Sequence, residues 1–207
     1  MTTPFFSPSR VKSPSLQVLN DPYLANDGVG GANGIGRATV ELFHRHGAYV
    51  VFGDVNDDQG IQFEKLLGTY TLTHFMLIVS RCVYIRTDVQ SWSSLSTLFM
   101  TTLNACRQID IVVANAGLQT TSFWKDIRDA NGDLQEPDWQ VIDTNLKGIM
   151  ATVKLALHYF QKNIVPGGRC VIVGSPDGYL RGSKRSGPIA EYVATEHGVL
   201  FSSLLKG

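Results

Sequence analysis

The chain has 207 residues, 43% hydrophobic and 17% charged, a composition that fits one soluble globular domain with a sizeable core. Its 18 basic and 18 acidic residues are intermingled and cancel, which argues against a nucleic-acid backbone or an anionic membrane as partner, since both need a concentrated positive field. Cys82, Cys106 and Cys170 are widely spaced and form no Cys-x-x-Cys pair, so they read as reduced thiols of a cytoplasmic protein.

In chain order, residues 1–28 read as a disordered or irregular segment. The first fourteen carry Ser, Thr and Pro with Arg10 and Lys12 but no amphipathic helix, so a tail fits better than an organellar presequence. Residues 20–28 are turn chemistry, which leaves residues 16–19 as the only local candidate for a first strand; that strand is read as missing or displaced. The domain proper is placed at residues 29–207, where short β-branched runs alternate with helical periodicities. Strands are expected at 48–54, 82–87, 109–115 and 169–174, mostly apolar as befits parallel strands covered on both sides. Helices are expected at 35–46, 57–67, 91–106 and 139–162. On the last, Ile142, Leu146, Met150, Val153, Leu157 and Phe160 form the apolar face. Residues 69–81 read as an apolar insertion, far too short to span a bilayer. The fold class is α/β, a Rossmann-like doubly wound parallel sheet, incomplete at both ends.

Two features carry chemistry without reference to any relative. Gly30-Gly31-Ala32-Asn33-Gly34-Ile35-Gly36 opens a helix, and its glycines let the backbone approach a pyrophosphate whose charge meets the amides of the helix N-terminus. Asp54, eighteen residues beyond Gly36 at the end of a strand, can accept from an adenosine ribose and repels a 2′-phosphate. Together they point to a dinucleotide, NAD in preference to NADP. The five histidines, His44, His46, His74, His158 and His197, make no metal spacing with any Cys or acid, so no metal is expected.

The ordered set Gly-x-x-x-Gly-Ile-Gly, Asp88-Val89, Ala114-Asn115-Ala116-Gly117, Asn145, Ser175 and Tyr192 resembles the short-chain dehydrogenase/reductases over residues 29–200. The resemblance implies that Gly30, Asn33, Gly34, Ile35 and Gly36 line the pyrophosphate and that Asp54 holds the ribose. Asp88 and Val89 would flank the adenine, and Asn115, Ala116 and Gly117 would border the cofactor. It further implies a catalytic set in which Tyr192 passes a proton to or from the substrate oxygen, Ser175 holds that oxygen and Asn145 anchors a water relay. The step from Ser175 to Tyr192 is longer than the family's usual spacing, so residues 181–187 are expected to hold an inserted loop.

The main departure is Glu196, which stands four residues after Tyr192 where the family has a Lys. A nearby cation lowers a tyrosine's pKa and a carboxylate raises it, so the exchange removes the activation and opposes it. His197 lies about 100° further round the helix and is no replacement. The chain also stops at Gly207 inside the Tyr-bearing helix, short of the last strands and the substrate loop that the resemblance implies. The implied function is an NAD-dependent oxidoreductase that interconverts a secondary alcohol and a ketone on a small hydrophobic metabolite, for example in secondary metabolism. The alternative is a catalytically inactive relative: a binding or interaction protein, or a mis-spliced product. Trp124, Trp139 and Tyr179 are either rim residues of a substrate site or core. The long helix bearing Asn145 allows a homodimer.

Overall fold

The computed structural model describes residues 15–19, 31–68, 81–120, 123–179 and 189–202. Five parallel strands form one sheet in the order β3-β2-β1-β4-β5, with β1 Ser15–Leu19, β2 Tyr49–Asp54, β3 Cys82–Arg86, β4 Ile111–Ala114 and β5 Arg169–Ile172. The helices are α1 Gly34–Arg45, α2 Asp57–Gly68, α3 Trp92–Cys106, α4 Gln140–Ile142, α5 Ile149–Phe160 and α6 Ala190–Ser202. Strand order reverses between β1 and β4, which opens a crevice at the carboxyl ends of the central strands.

The first strand is therefore present, and the expectation that it is missing is corrected. Leu16 pairs with both Val50 and Ile111, and Val18 with both Phe52 and Val113, so the sheet begins inside the segment read as irregular. Ser15-Leu16-Gln17-Val18-Leu19 is short and half polar, a weak local signal. Ladders on both sides satisfy its backbone groups and override that weakness.

Alternation along the strands divides the core between the two faces. Val50, Phe52 and Val113 join Val40 of α1 and Phe63 of α2 on one side, while Val51 and Val112 join Leu95, Leu98 and Phe99 of α3 and Leu155, Ala156 and Tyr159 of α5 on the other. Each residue step along a strand reverses the face, so one run of valines serves two helical layers. Ala114, Ile149 and Val199 form a third cluster that seats α5 and α6 near the end of β4.

The expected long helix is interrupted. Residues Asp143–Gly148 form a π-helical turn between α4 and α5. Its buried positions are small or polar: Thr144, Asn145 and Gly148, followed by Thr152 and Ala156. A side chain at Gly148 would meet Val89 Cγ2 at 2.8 Å, so the helix lies close over the loop after β3. The predicted apolar face is corrected in part: Phe160 is buried and Leu146 and Val153 pack against the core, whereas Met150 and Leu157 are both more than half exposed and Ile149, Leu155 and Tyr159 are buried in their place. Asn163 closes the far end of α5: its Oδ1 accepts from Ile109 N–H at 3.0 Å and its Nδ2 donates to the carbonyls of Ile109 and Gly167, both at 2.7 Å. Among the described residues no helix is long and apolar enough to cross a membrane.

Candidate active site

The Gly-rich turn ends on α1 in a conformation that its residues dictate. Asn33 is extended (φ −145°) and caps the helix, its Oδ1 accepting from Gly34 N–H at 2.9 Å, and Gly34 takes φ +53°, which glycine tolerates without strain. Asn33, Gly34 and Ile35 are exposed, Gly36 is buried, and the first turn of α1 carries no acidic residue. An exposed helix N-terminus free of carboxylates fits a diphosphate. Gly30 lies outside the described residues.

Beneath this turn, Asp54 is fully buried at the end of β2. Its Oδ2 accepts from Ala32 N–H at 3.2 Å and its Oδ1 from Asn56 N–H at 2.9 Å, so the carboxylate staples the Gly-rich turn to the sheet. Burial pushes its pKa up, and the amides of Asn56 and Ala32 pull it back.

At the ends of β3 and β4 the predicted residues are brought to the same edge. Asp88 is exposed and builds the turn into α3, accepting from Gln90 N–H at 2.9 Å on Oδ1 and donating its own amide to Ser94 Oγ at 3.0 Å. Val89 is buried against Gly148. Asn115 and Ala116 are buried directly after β4, and Gly117 is half-buried beside Asn145. Asn145, buried in the π-turn, clamps the backbone of Leu118: Oδ1 accepts from its N–H at 2.8 Å and Nδ2 donates to its carbonyl at 2.9 Å. This two-point clamp fixes the loop after β4 on the helix that carries the site.

Ser175, Tyr192 and Glu196 converge across the turn that follows β5. Glu196 is only 8% exposed, and its Oε2 accepts from Ser175 N–H at 2.7 Å. A side chain at Gly178 would come within 3.0 Å of the Glu196 carbonyl oxygen, so α6 and the 3₁₀ turn Pro176–Gly178 are in close backbone contact. Tyr192 stands one helical turn before Glu196 on α6. Burial raises the Tyr192 pKa, Ser175 lowers it, and the carboxylates of Glu196 and Asp177 raise it again. For Glu196, burial also raises the pKa, against the pull of the Ser175 amide and the Tyr192 hydroxyl. His197 faces away, its Nδ1 on the Val193 carbonyl at 2.8 Å.

One acid at this edge was not singled out from the sequence. Glu191, beside Tyr192, is 3% exposed; its Oε1 accepts from Thr120 Oγ1 at 3.3 Å while Oε2 has no hydrogen-bond partner among the described residues. Thr120 follows β4, so this bond ties that loop to α6. No local pattern signals a buried Glu at a helix start, where acids usually face water. Trp124, Trp139 and Tyr179 are 65%, 43% and 70% exposed, which rules out the core reading for each. Phe123 packs edge-on against both tryptophans, with ring centroids at 4.9 and 5.2 Å. The insertion at 69–80 and the loop at 181–187 lie outside the described residues.

Comparison with known proteins shows the family and the fold. Residues 29–203 match the family model for short chain dehydrogenases. The chain is 32% identical over 179 residues to the short-chain dehydrogenase/reductase prx4 of Penicillium roqueforti, covering 83% of this chain and 48% of that protein. It is 29% identical over 127 residues to secoisolariciresinol dehydrogenase of Forsythia intermedia, covering 61% of this chain and 41% of that one. The chain spans about half the length of the curated relatives it matches. In fold it resembles a short-chain dehydrogenase/reductase from Burkholderia phymatum solved in complex with NAD, with TM-score 0.69 and 20% identity, over 93% of this chain and 59% of that one.

Proposed function

The chain belongs to the short-chain dehydrogenase family, and from that premise we propose that it is an NAD-linked oxidoreductase that interconverts a secondary alcohol and a ketone on a small hydrophobic metabolite. The observation that carries the reading is the bond from Ser175 N–H to Glu196 Oε2 at 2.7 Å, which brings Ser175 against the turn of α6 that bears Tyr192 at the carboxyl edge of the sheet. Asn145 braces the neighbouring loop through Leu118. In this reading the exposed N-terminus of α1 takes the diphosphate through Asn33, Gly34, Ile35 and Gly36, with Gly30 completing the turn. Asp54, buried beneath the turn and held by the amides of Asn56, Ala32 and Val55, puts a negative charge at the end of β2, where it favours a ribose that carries free hydroxyls and opposes a 2′-phosphate. Asp88 and Val89 border the adenine, and Asn115, Ala116 and Gly117 the inner wall.

Bound nicotinamide supplies or accepts the hydride; the chain's own groups orient the substrate and move its proton. Ser175 Oγ accepts from Asp177 N–H at 3.2 Å and keeps its hydrogen for an oxygen in the site. Tyr192 stands next to it as acid or base. Exposed Trp124 and Tyr179 supply apolar surface near loops at the ligand-binding edge, which favours a hydrophobic substrate such as a secondary metabolite. Met150 and Leu157, outward on α5, favour a homodimer. A second reading, an inactive relative that binds cofactor or a protein partner without turnover, is favoured by Glu196, whose charge raises the Tyr192 pKa.

Titration of the folded chain with NADH, followed by nicotinamide fluorescence, and assay over a panel of secondary alcohols and ketones separate the two. Saturable binding with turnover that Tyr192→Phe abolishes is the expected result. Binding with no turnover on any member of the panel points to the inactive relative, and no binding at all overturns both nucleotide readings.

A further inference from the structure

We propose that Asp57 is a specificity-determining residue at the adenosine end of the site: it holds Arg86 in an ion pair and so withholds that cation from a 2′-phosphate. The inference rests on the NAD-linked reading above and adds a second residue to the preference assigned there to Asp54.

The corner that follows β2 is held from β3. Arg86, the last residue of β3, is in register with Asp54 and reaches over the corner. Its Nη1 donates to the Val55 carbonyl at 2.7 Å and to Asp57 Oδ2 at 3.1 Å. The Tyr84 hydroxyl shares its one hydrogen between the Asp54 carbonyl at 2.9 Å and Asp57 Oδ1 at 2.8 Å. Both carboxylate oxygens of Asp57 are therefore engaged, one by each β3 side chain. The helix that carries Asp57 is pressed on the same ring: a side chain at Gly60 would lie 2.2 Å from Tyr84 Cε2. Asn56 fixes the start of α2, its Oδ1 accepting from Gln59 N–H at 3.1 Å.

These contacts put a guanidinium against the residue that follows buried Asp54. An Arg near this position is what a 2′-phosphate needs, and its planar fork suits the phosphate oxygens. The Arg86 side chain is 63% exposed, and its two bonds engage one of three nitrogens, so a phosphate could reach it. Asp57 reverses that preference. It neutralises Arg86 and places its own charge beside Asp54, with Asp58 next to it in the first turn of α2. An exposed ion pair is weak by itself. Here the Val55 carbonyl holds one partner and the Tyr84 hydroxyl the other, so a phosphate must displace the pair from both. A second cation, Arg37 on the first turn of α1, is committed to Glu41 at 3.3 Å and to the face of Phe63 at 4.5 Å.

The test measures dissociation constants of the full-length chain for NADH and NADPH by nicotinamide fluorescence, in the parent, Asp57→Asn, Arg86→Gln and the double variant. Asp57→Asn keeps an oxygen for Tyr84; Asp57→Ser, which also suits a helix start, repeats the measurement should the amide disturb folding. The expected result is that Asp57→Asn strengthens NADPH binding relative to NADH by about tenfold, the scale of one charge-assisted hydrogen bond. Made on Arg86→Gln, the same substitution should lose most of that gain, because the released donor is gone. An equal gain with and without Arg86 would show plain charge removal and overturn the proposal, as would no gain in a folded variant that binds NADH. A parent that binds neither dinucleotide would overturn the cofactor reading and this inference with it, and a parent that prefers NADPH would overturn the preference assigned to both acids.

Discussion

Asn145 shows what one buried amide contributes. It satisfies both backbone groups of Leu118, and Asn145→Ala leaves an N–H and a carbonyl without their partners inside the protein. Each such orphan costs about 1–3 kcal/mol, so a loss of about 2 kcal/mol or more is expected in urea unfolding. Glu196 gives a prediction with a sign. Its folded pKa lies above the ordinary 4.5, so its contribution to stability is present below that value and is lost as the pH rises through the folded pKa. Glu196→Gln removes this titration. The variant should gain on the parent as the pH rises from about 4 to neutrality, and a constant difference across that range would refute the assignment. The residues themselves were legible: Tyr192, Ser175, Asn145 and Glu196 could be picked out from their order along the chain. Their contacts were not. That Asp54 staples Ala32, that Asn145 grips Leu118, and that Glu196 folds back on Ser175 are pairings across 21 to 27 residues, which no local pattern encodes.

Among elements, β1 and the π-turn are where sequence reasoning and structure part. Periodicity located β2 to β5 and α1 to α3 within a residue or two, because buried parallel strands read as apolar runs and each helix is amphipathic. For β1 the local signal is weak and the stability comes from two neighbours. Val18→Pro removes a ladder donor from a strand paired on both sides and should cost about 3 kcal/mol or more, seen as loss of the cooperative thermal transition. In α5 the predicted stripe holds at Phe160 but not at Met150 and Leu157, since Ile149, Leu155 and Tyr159 are the large residues that turn inward. Gly148→Ala places a methyl group 2.8 Å from Val89 Cγ2 and should destabilise by about 1–3 kcal/mol. A thermally neutral Gly148→Ala would show that the π-turn has room to shift.

At the scale of the molecule, the sheet order and the position of the Gly-rich turn put the chemistry in one crevice. The fold class was legible because four short apolar strands alternating with helices already admit few alternatives. The buried thiols fit that picture, with Cys82 pushed up to about 12 and Cys170 to about 11 by burial, too high for reactive thiolates. The central claim is that a nicotinamide dinucleotide lies over the turn at Gly34 with its adenosine sugar at Asp54. A ligand at about a hundred times its dissociation constant adds about 2.7 kcal/mol of stability, so NAD should raise the melting temperature by about 5 to 10 °C. The most direct measurement is calorimetric titration of the folded chain with NAD and with NADP: saturable heat with NAD and weaker binding of NADP is the predicted result, whereas no heat with either, or tighter binding of NADP, would contradict it.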